Sequence, residues 1–240
     1  MMKIDIVTVF PRMFEGFLGE SIVSRAVRMG KAEIAVRNLR DYSADRRRRV
    51  DDKPFSGGPG MLMTPQPWFS AVEACLAEGE VPSAGGATRV VMLTPAGMPY
   101  GQRKAEEFAA CGHLVFICGH YEGIDARVNT LVTDFVSMGD FVLTGGEIPA
   151  AAVVDSVVRL LPGVLGGGEE ATANESFNAD GLLEAPQYTH PPEFRGMKVP
   201  EVLMSGDHAK IDAWKKRAAL EFTRKMRPDL LGEDGKAAGK

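Results

Sequence analysis

Three cysteines in 240 residues, Cys75, Cys111 and Cys118, are an odd number with no CxxC spacing. Neither a disulfide framework nor a zinc site follows from them. Free thiols fit a reducing cytoplasm, the compartment expected for this chain. The four histidines, His113, His120, His190 and His208, are scattered and form no HExxH, so the residues themselves suggest no metal site. The standard nucleotide signatures are missing too: no GxxxxGK followed by Ser or Thr, no GxGxxG after a strand, no GxSxG elbow. These absences argue against a P-loop NTPase, an ordinary dinucleotide-binding Rossmann domain and an α/β-hydrolase. The longest apolar run, Ile148 to Leu165, is interrupted by Asp155 and Arg159. A buried helix is expected there, and no membrane span. Met1 to Pro11 lacks a charged segment ahead of a long apolar stretch, so no secretory signal is expected.

What is present is an ordinary globular composition, 45% hydrophobic and 25% charged, long enough for one large domain or two modest ones. A net charge of −4 argues mildly against nucleic acid, but the distribution reverses that reading. Asp207 to Lys240 holds nine basic and six acidic residues, a net of +3, which leaves −7 on the other 206 residues. Basic charge also concentrates in Arg46-Arg47-Arg48-Arg49. An acidic protein can still present basic patches to phosphate.

Periodicity places strands at Ile4 to Phe10, Ala32 to Leu39, Arg89 to Leu93, His113 to Cys118 and Asp134 to Ser137. Helices are expected from Pro11 to Met29, closed by Gly30, and at Pro65 to Leu76, Gln102 to Ala110, Ile124 to Leu131 and Glu147 to Leu161. Residues 40–64 have no clear period and read as a long loop, a feature that is usually functional or disordered. Glu78 to Ala87 reads as a flexible surface connection. Strands alternating with helices over residues 1–161 predict an α/β domain with a parallel sheet. Pro162 to Asn174, rich in Gly and acid, reads as a hinge, and 175–240 as a small C-terminal domain with a helix at His208 to Met226.

A ligand site in such a sheet belongs at the carboxyl ends of the strands. Three glycine-bearing loops fall there: Thr94-Pro95-Ala96-Gly97, Gly119-His120-Tyr121-Glu122-Gly123, and Met138 to Gly146. Glycine lets backbone groups approach a ligand closely, although glycines that only close turns would leave the same pattern. A fourth stretch, VDDKPFSGGPGMLM (50–63), is by itself a polar loop ending in a Gly-rich turn.

These stretches carry a resemblance. VDDKPFSGGPGMLM, CGHYEGID (118–125), SMGDFVLTGGEIPA (137–150) and DSVVRLLPGVLG (155–166), in this order, resemble the bacterial tRNA (guanine-N1)-methyltransferases of the SPOUT superfamily, from Ile4 to about Met226. The resemblance implies an α/β domain with a C-terminal trefoil knot, a homodimer with sites at the interface, and a small C-terminal domain that grips tRNA. It implies methyl transfer from S-adenosylmethionine to N1 of guanosine at tRNA position 37, preceded by another guanosine. The family's cofactor pocket falls on Thr94, Pro95, Gly119, Tyr121, Glu122, Ser137, Met138, Gly139, Asp140, Phe141, Val142, Leu143, Gly145 and Gly146. Its catalytic arginine falls on Arg159. Its catalytic aspartate position holds Glu175 here, with Asn174 before it, a departure from the family pattern. Magnesium dependence is implied as well, with Glu122 as its candidate participant. No DNA or membrane partner is implied.

The chemistry fits these residue types. N1 of guanine carries a proton at neutral pH, so methylation needs a base near N1 and a cation or donor near O6. Glu175 and Arg159 supply both. Taken without the resemblance, Asp155 four residues before Arg159 would make an ordinary surface pair. Rival readings are a relative that methylates a ribose 2′-hydroxyl or another base, and a silent RNA-binding module.

Overall fold

Strands rich in β-branched residues assemble into one five-stranded parallel sheet. In chain order the strands of the protein are β1 (Met2–Thr8), β2 (Ala32–Asn38), β3 (Asp51–Asp52), β4 (Leu62–Met63), β5 (Thr88–Pro99), β6 (His113–Ile117), β7 (Asp134–Ser137), β8 (Glu193–Phe194) and β9 (Met197–Lys198). The main sheet has the order β2-β1-β6-β5-β7, and every pairing in it is parallel. The computed structural model describes residues 1–78, 86–167, 172, 175–177 and 181–232. The chain divides into two units, Met1–Gly166 and Gly167–Lys240. The expected connection at 78–87 falls mostly outside the described residues, as do 168–171, 173 and 174 of the segment read as a hinge, Asn174 among them.

The central strand shows why the sheet must be covered on both faces. All five residues of β6 are buried, as continuous apolar strands of parallel sheets are. Leu114 and Phe116 join one core with Ile4, Phe14, Val23, Phe108, Val154 and Val157. Val115 and Ile117 join the other, with Val7, Trp68, Val72, Cys75 and Val128. The first face is covered by α2 (Ser21–Arg28), α4 (Gln102–Ala109) and α5 (Glu147–Val158), the second by α3 (Pro65–Glu78). Burial pushes the Cys75 thiol up to about 12, so that cysteine is inert packing.

The second face also buries a charge. Asp5 has no exposure, and it accepts hydrogen bonds from Arg37 Nε at 2.7 Å and from His113 Nε2 at 2.8 Å. Burial raises the Asp5 carboxyl, but the bonds from His113 and Arg37 outweigh it and the net shift is downward.

Three local expectations are corrected. The single helix expected from Pro11 to Met29 is a 3-10 turn at Pro11–Phe14, then α1 (Glu15–Gly19), then α2. It breaks because Glu20 is extended and Ser21 sits at φ 53°, outside helical space. The strand expected to end at Leu93 continues to Pro99 through a register shift against β7 between Leu93 and Met98. Thr94 to Gly97 is therefore an irregular strand segment and not a free loop. The helix expected at Ile124 to Leu131 is a 3-10 segment at Ala126–Leu131, where the Asp125 side chain accepts from Arg127 N. The long region 40–64 is framed by β3 pairing antiparallel with β4.

In the second unit the expected helix is α6 (His208–Met226), with the Asp207 side chain accepting from Lys210 N at 3.2 Å. Its Thr223, fully buried, accepts a hydrogen bond from Leu183 N at 2.9 Å. The Tyr188 and Trp214 rings lie 6.3 Å apart. Strands β8 and β9 form a two-residue hairpin ladder.

Candidate functional site

A cavity of about 440 Å³ opens at the carboxyl ends of β5, β6 and β7, where ligands of parallel α/β sheets bind. It is entirely within the first unit. Every cofactor-site candidate named from the sequence lines it except Asp140, which is exposed just outside. The volume falls in the range of sites that hold a molecule of nucleoside size.

The walls are backbone-rich because the loops press on one another. Gly146 N donates to Gly119 O at 2.9 Å, and His120 bridges Gly145 in antiparallel fashion. A Cβ on Gly146 would lie 2.7 Å from Cys118 Cα, so only glycine allows this approach. The Ser137 hydroxyl takes Gly139 N at 3.2 Å and faces Gly139 O at 3.1 Å, closing the turn after β7. Gly139, at φ 141°, makes room for the Phe141 ring, which a Cβ would meet at 2.8 Å.

The stretch 54–63 is the fourth wall support. Glu122 N donates to Met61 O at 3.0 Å, Met63 N to Gly123 O at 2.9 Å, and Asp125 N to Met63 O at 2.9 Å. Gly60, at φ 87°, would set a Cβ 2.4 Å from Glu122 Cγ. Two motifs far apart in sequence thus form one ladder beside the cavity. Tyr121, half-exposed with φ 61°, receives a 3.4 Å contact from Arg40 Nη2. Arg40 in turn faces Arg48 O, and Arg48 pairs with Asp41. The arginine run is therefore anchored next to the cavity rim. Beside it, Arg49 holds the half-buried Asp45 carboxyl down at about 2, helped by the Arg47 backbone N–H.

The residue set taken from the resemblance leaves out His120, Ala96 and Thr144, which lie inside the three glycine-bearing loops, and sequence reasoning missed Ile124, Asn129 and Pro149 in the lining. Their proximity to the named loops was the available signal. It also missed Glu147, the first residue of α5, whose carboxylate is 2% exposed beneath the cavity. The neighbouring Cys118 thiol is raised well above its usual range by burial, with the Glu147 charge adding to it.

Arg159 caps the C-terminal end of α5, with its N–H on Asp155 O at 3.2 Å, and does not line the cavity. Glu175 is half-buried in the second unit. The following residues, Ser176 and Phe177, are tied within that unit: Ser176 Oγ accepts from Glu184 N, and Phe177 N donates to Leu182 O. On α6, Lys215, Lys216 and Arg217 are exposed and form no ion pair among the described residues. No helix among the described residues is long and apolar enough to cross a membrane.

Residues 2–233 match the family described as tRNA (Guanine-1)-methyltransferase TrmD. The chain is 52% identical over 237 residues to the tRNA (guanine-N(1)-)-methyltransferase of Levilactobacillus brevis, spanning 97% of this chain and 91% of that relative. It is 53% identical over 231 residues to the protein of the same name from Bacillus licheniformis, spanning 96% and 92%. With that of Moorella thermoacetica the identity is 52% over 231 residues, spanning 96% and 90%.

Proposed function

The chain belongs to the tRNA (guanine-1)-methyltransferase family, and from that membership we propose how its residues carry out the reaction. It transfers a methyl group from S-adenosylmethionine to N1 of guanosine 37 in tRNA. The observation that carries the reading is the cavity at the strand ends, walled by the same Gly-rich loops that bear the family motifs. Its volume and its backbone donors and acceptors suit an adenosine-bearing cofactor. We place that cofactor on Thr94, Pro95, Gly119, Tyr121, Glu122, Ser137 to Val142, Leu143, Gly145 and Gly146, with Asp140 at the rim.

The bound cofactor supplies an electrophilic methyl on a sulfonium, so the protein's task is position and proton management. When bound, S-adenosylmethionine would supply the methyl group for N1 and would leave as the neutral thioether. The N1 proton passes to the Glu175 carboxylate, the general base. The Arg159 guanidinium stabilises the negative charge that builds on O6. Magnesium fits less well. Glu122 is the one carboxylate in the cavity lining, and no group of three metal-ligating side chains occurs among the described residues. We assign the ion no step.

The wider assembly follows the same reading. Phe141, Val142, Leu143 and Ile148 stand exposed along one segment, Val142 at 84%. Apolar runs of this kind are usually covered, and we assign them to a homodimer interface at which the sites are completed. The packed loops 119–123 and 138–146 are the segments we assign to a trefoil knot. The second unit, with its basic α6, is the tRNA-gripping domain, and the tRNA substrate places the enzyme in the cytoplasm.

Nucleoside mass spectrometry tests the assignment. Incubation with S-adenosylmethionine should yield 1-methylguanosine in transcripts with guanosine at positions 36 and 37, and none when position 37 is adenosine. Methylation of the adenosine variant, or of ribose, would overturn it.

A further inference from the structure

We propose that Glu147 is the positioning residue of the cofactor cavity: its buried carboxylate ties the loop after β6 and the turn before α5 to the end of β1, and that tie sets the affinity for S-adenosylmethionine. The inference rests on the cofactor reading above and extends it to a residue outside the cavity lining.

The geometry is a closed circuit of four residues, three of its links through side chains and one through the Phe10 backbone N–H. Thr8 Oγ1 donates to Glu147 Oε1 at 2.6 Å, with both residues buried. The same Thr8 oxygen accepts Phe10 N at 2.9 Å, which leaves its single proton for the carboxylate. Glu147 Oε2 faces His120 Nε2 at 3.6 Å. The His120 ring stands edge-on to Phe10, centroids 4.7 Å apart, which closes the circuit. Thr8 and Glu147 do not line the cavity, whereas His120 and Gly145 do.

The Glu147 carboxylate packs directly against the Gly145 backbone. A Cβ on Gly145 would sit 2.3 Å from Glu147 Oε2 and 2.4 Å from His120 Cδ2, so the Gly145 wall is in direct register with the carboxylate. A buried carboxylate with one full hydrogen bond is costly and persists only where its surroundings hold it. The first turn of α5 offers a favourable dipole. The carboxylate thereby joins the end of β1 to the loops after β6 and β7, which wall the site. His120 answers to Glu147 on one side and to the cavity on the other, so a displacement of the carboxylate is passed to the wall.

Two near-isosteric variants test this in the full-length protein. Glu147→Gln keeps volume and an acceptor for Thr8 but removes the charge facing His120. Thr8→Val removes only the hydroxyl. Each should raise the dissociation constants of S-adenosylmethionine and S-adenosylhomocysteine by the same factor, roughly tenfold, since wall geometry and not sulfur charge is altered. KM for S-adenosylmethionine should rise with it, while KM for tRNA and kcat at saturating cofactor stay within about threefold. The double variant should be little worse than the worse single one, as members of one network are not additive. An unchanged cofactor affinity in Thr8→Val overturns the proposal even if Glu147→Gln fails to fold. A fall in kcat at unchanged KM overturns it too, as does full additivity in the double variant. Failure of the unmodified protein to bind S-adenosylmethionine would instead sink the cofactor reading itself.

Discussion

Replacing Gly97 with alanine puts a methyl group where β7 already runs. The new Cβ would lie 2.4 Å from Val136 N, 2.5 Å from Val136 C and 2.6 Å from Phe135 C. Ordinary contact begins near 3.4 Å, so β5 and β7 must part by about 1 Å, and both neighbours are backbone that no rotamer change can move. Overpacking of this kind costs about 1–3 kcal/mol. In a chain of this length that corresponds to a melting point lower by roughly 2–12 °C. The displaced segments carry Thr94, Pro95 and Ala96 on one side and Ser137 and Met138 on the other, all in the cavity wall. A wall misplaced by about 1 Å should cut the methyl-transfer rate by around a hundredfold. Gly16→Ala is the control, because nothing lies within 4 Å of its Cβ and it sits inside α1. That change should stabilise the protein by about 0.5–1 kcal/mol and leave the rate alone. Calorimetry and single-turnover methylation of tRNA provide both readouts. A Gly97→Ala protein that melts normally and reacts at the normal rate would refute the packing argument, and with it the view that the β5 irregularity shapes the cavity.

Three further outcomes are expected. Asp5→Asn, which leaves Arg37 and His113 facing a neutral amide, should destabilise the protein by about 3–5 kcal/mol. Since the folded carboxyl is held below its unfolded value near 4, the Asp5 contribution is present above that pH and is lost as pH falls through the folded value. An acid-melting limb of equal size in the variant would contradict this. Neutralising Lys215 and Lys216 together should lower the salt slope of tRNA binding by about two units and leave S-adenosylmethionine affinity unchanged, as titrations across a salt series can show. Glu175→Gln should lower the single-turnover rate by about 10²–10⁴ with little change in binding. Near-normal rates with an unaltered pH profile would remove Glu175 as the base and direct attention to Glu122.

The sheet was largely legible in the sequence because its signals are local. The β-branched runs gave β1, β2, β6 and β7 to within a few residues, and the span His208 to Met226 coincides with α6. What local pattern misses is tertiary. The apolar spacing from Pro11 to Met29 suits a helix, but nothing in it announces that Glu20 turns extended and Ser21 takes a positive φ. The strand expected to end at Leu93 runs on through Pro95 and Gly97, residues that usually stop strands. Here they sit in a register shift that β7 accepts. Asp5 and Glu147 could not be singled out at all, since a carboxylate in an apolar run becomes informative only once its partners, 32 and 139 residues away, are known. The cofactor-site candidates came from a resemblance. The cavity unites all of them but Asp140, while Arg159 and Glu175 stand on other segments.

The glycines of the motifs acquire a different meaning from the structure than from the sequence. Read along the chain, they suggest backbone laid open to a ligand. In the fold, Gly97 lies against the backbone of β7, Gly146 against Cys118, and Gly60 against the Glu122 side chain. In each case a Cβ would collide with another part of the protein, so the missing side chain is first a condition for the loops to pass one another. The cavity is the space those close crossings leave between them. Its walls are therefore backbone whose positions depend on contacts outside the lining, such as Cys118 and the Thr8–Glu147 bond. It follows that substitutions one layer behind the wall, where no cofactor is touched, should act on affinity as strongly as substitutions of the exposed lining side chains such as Val142.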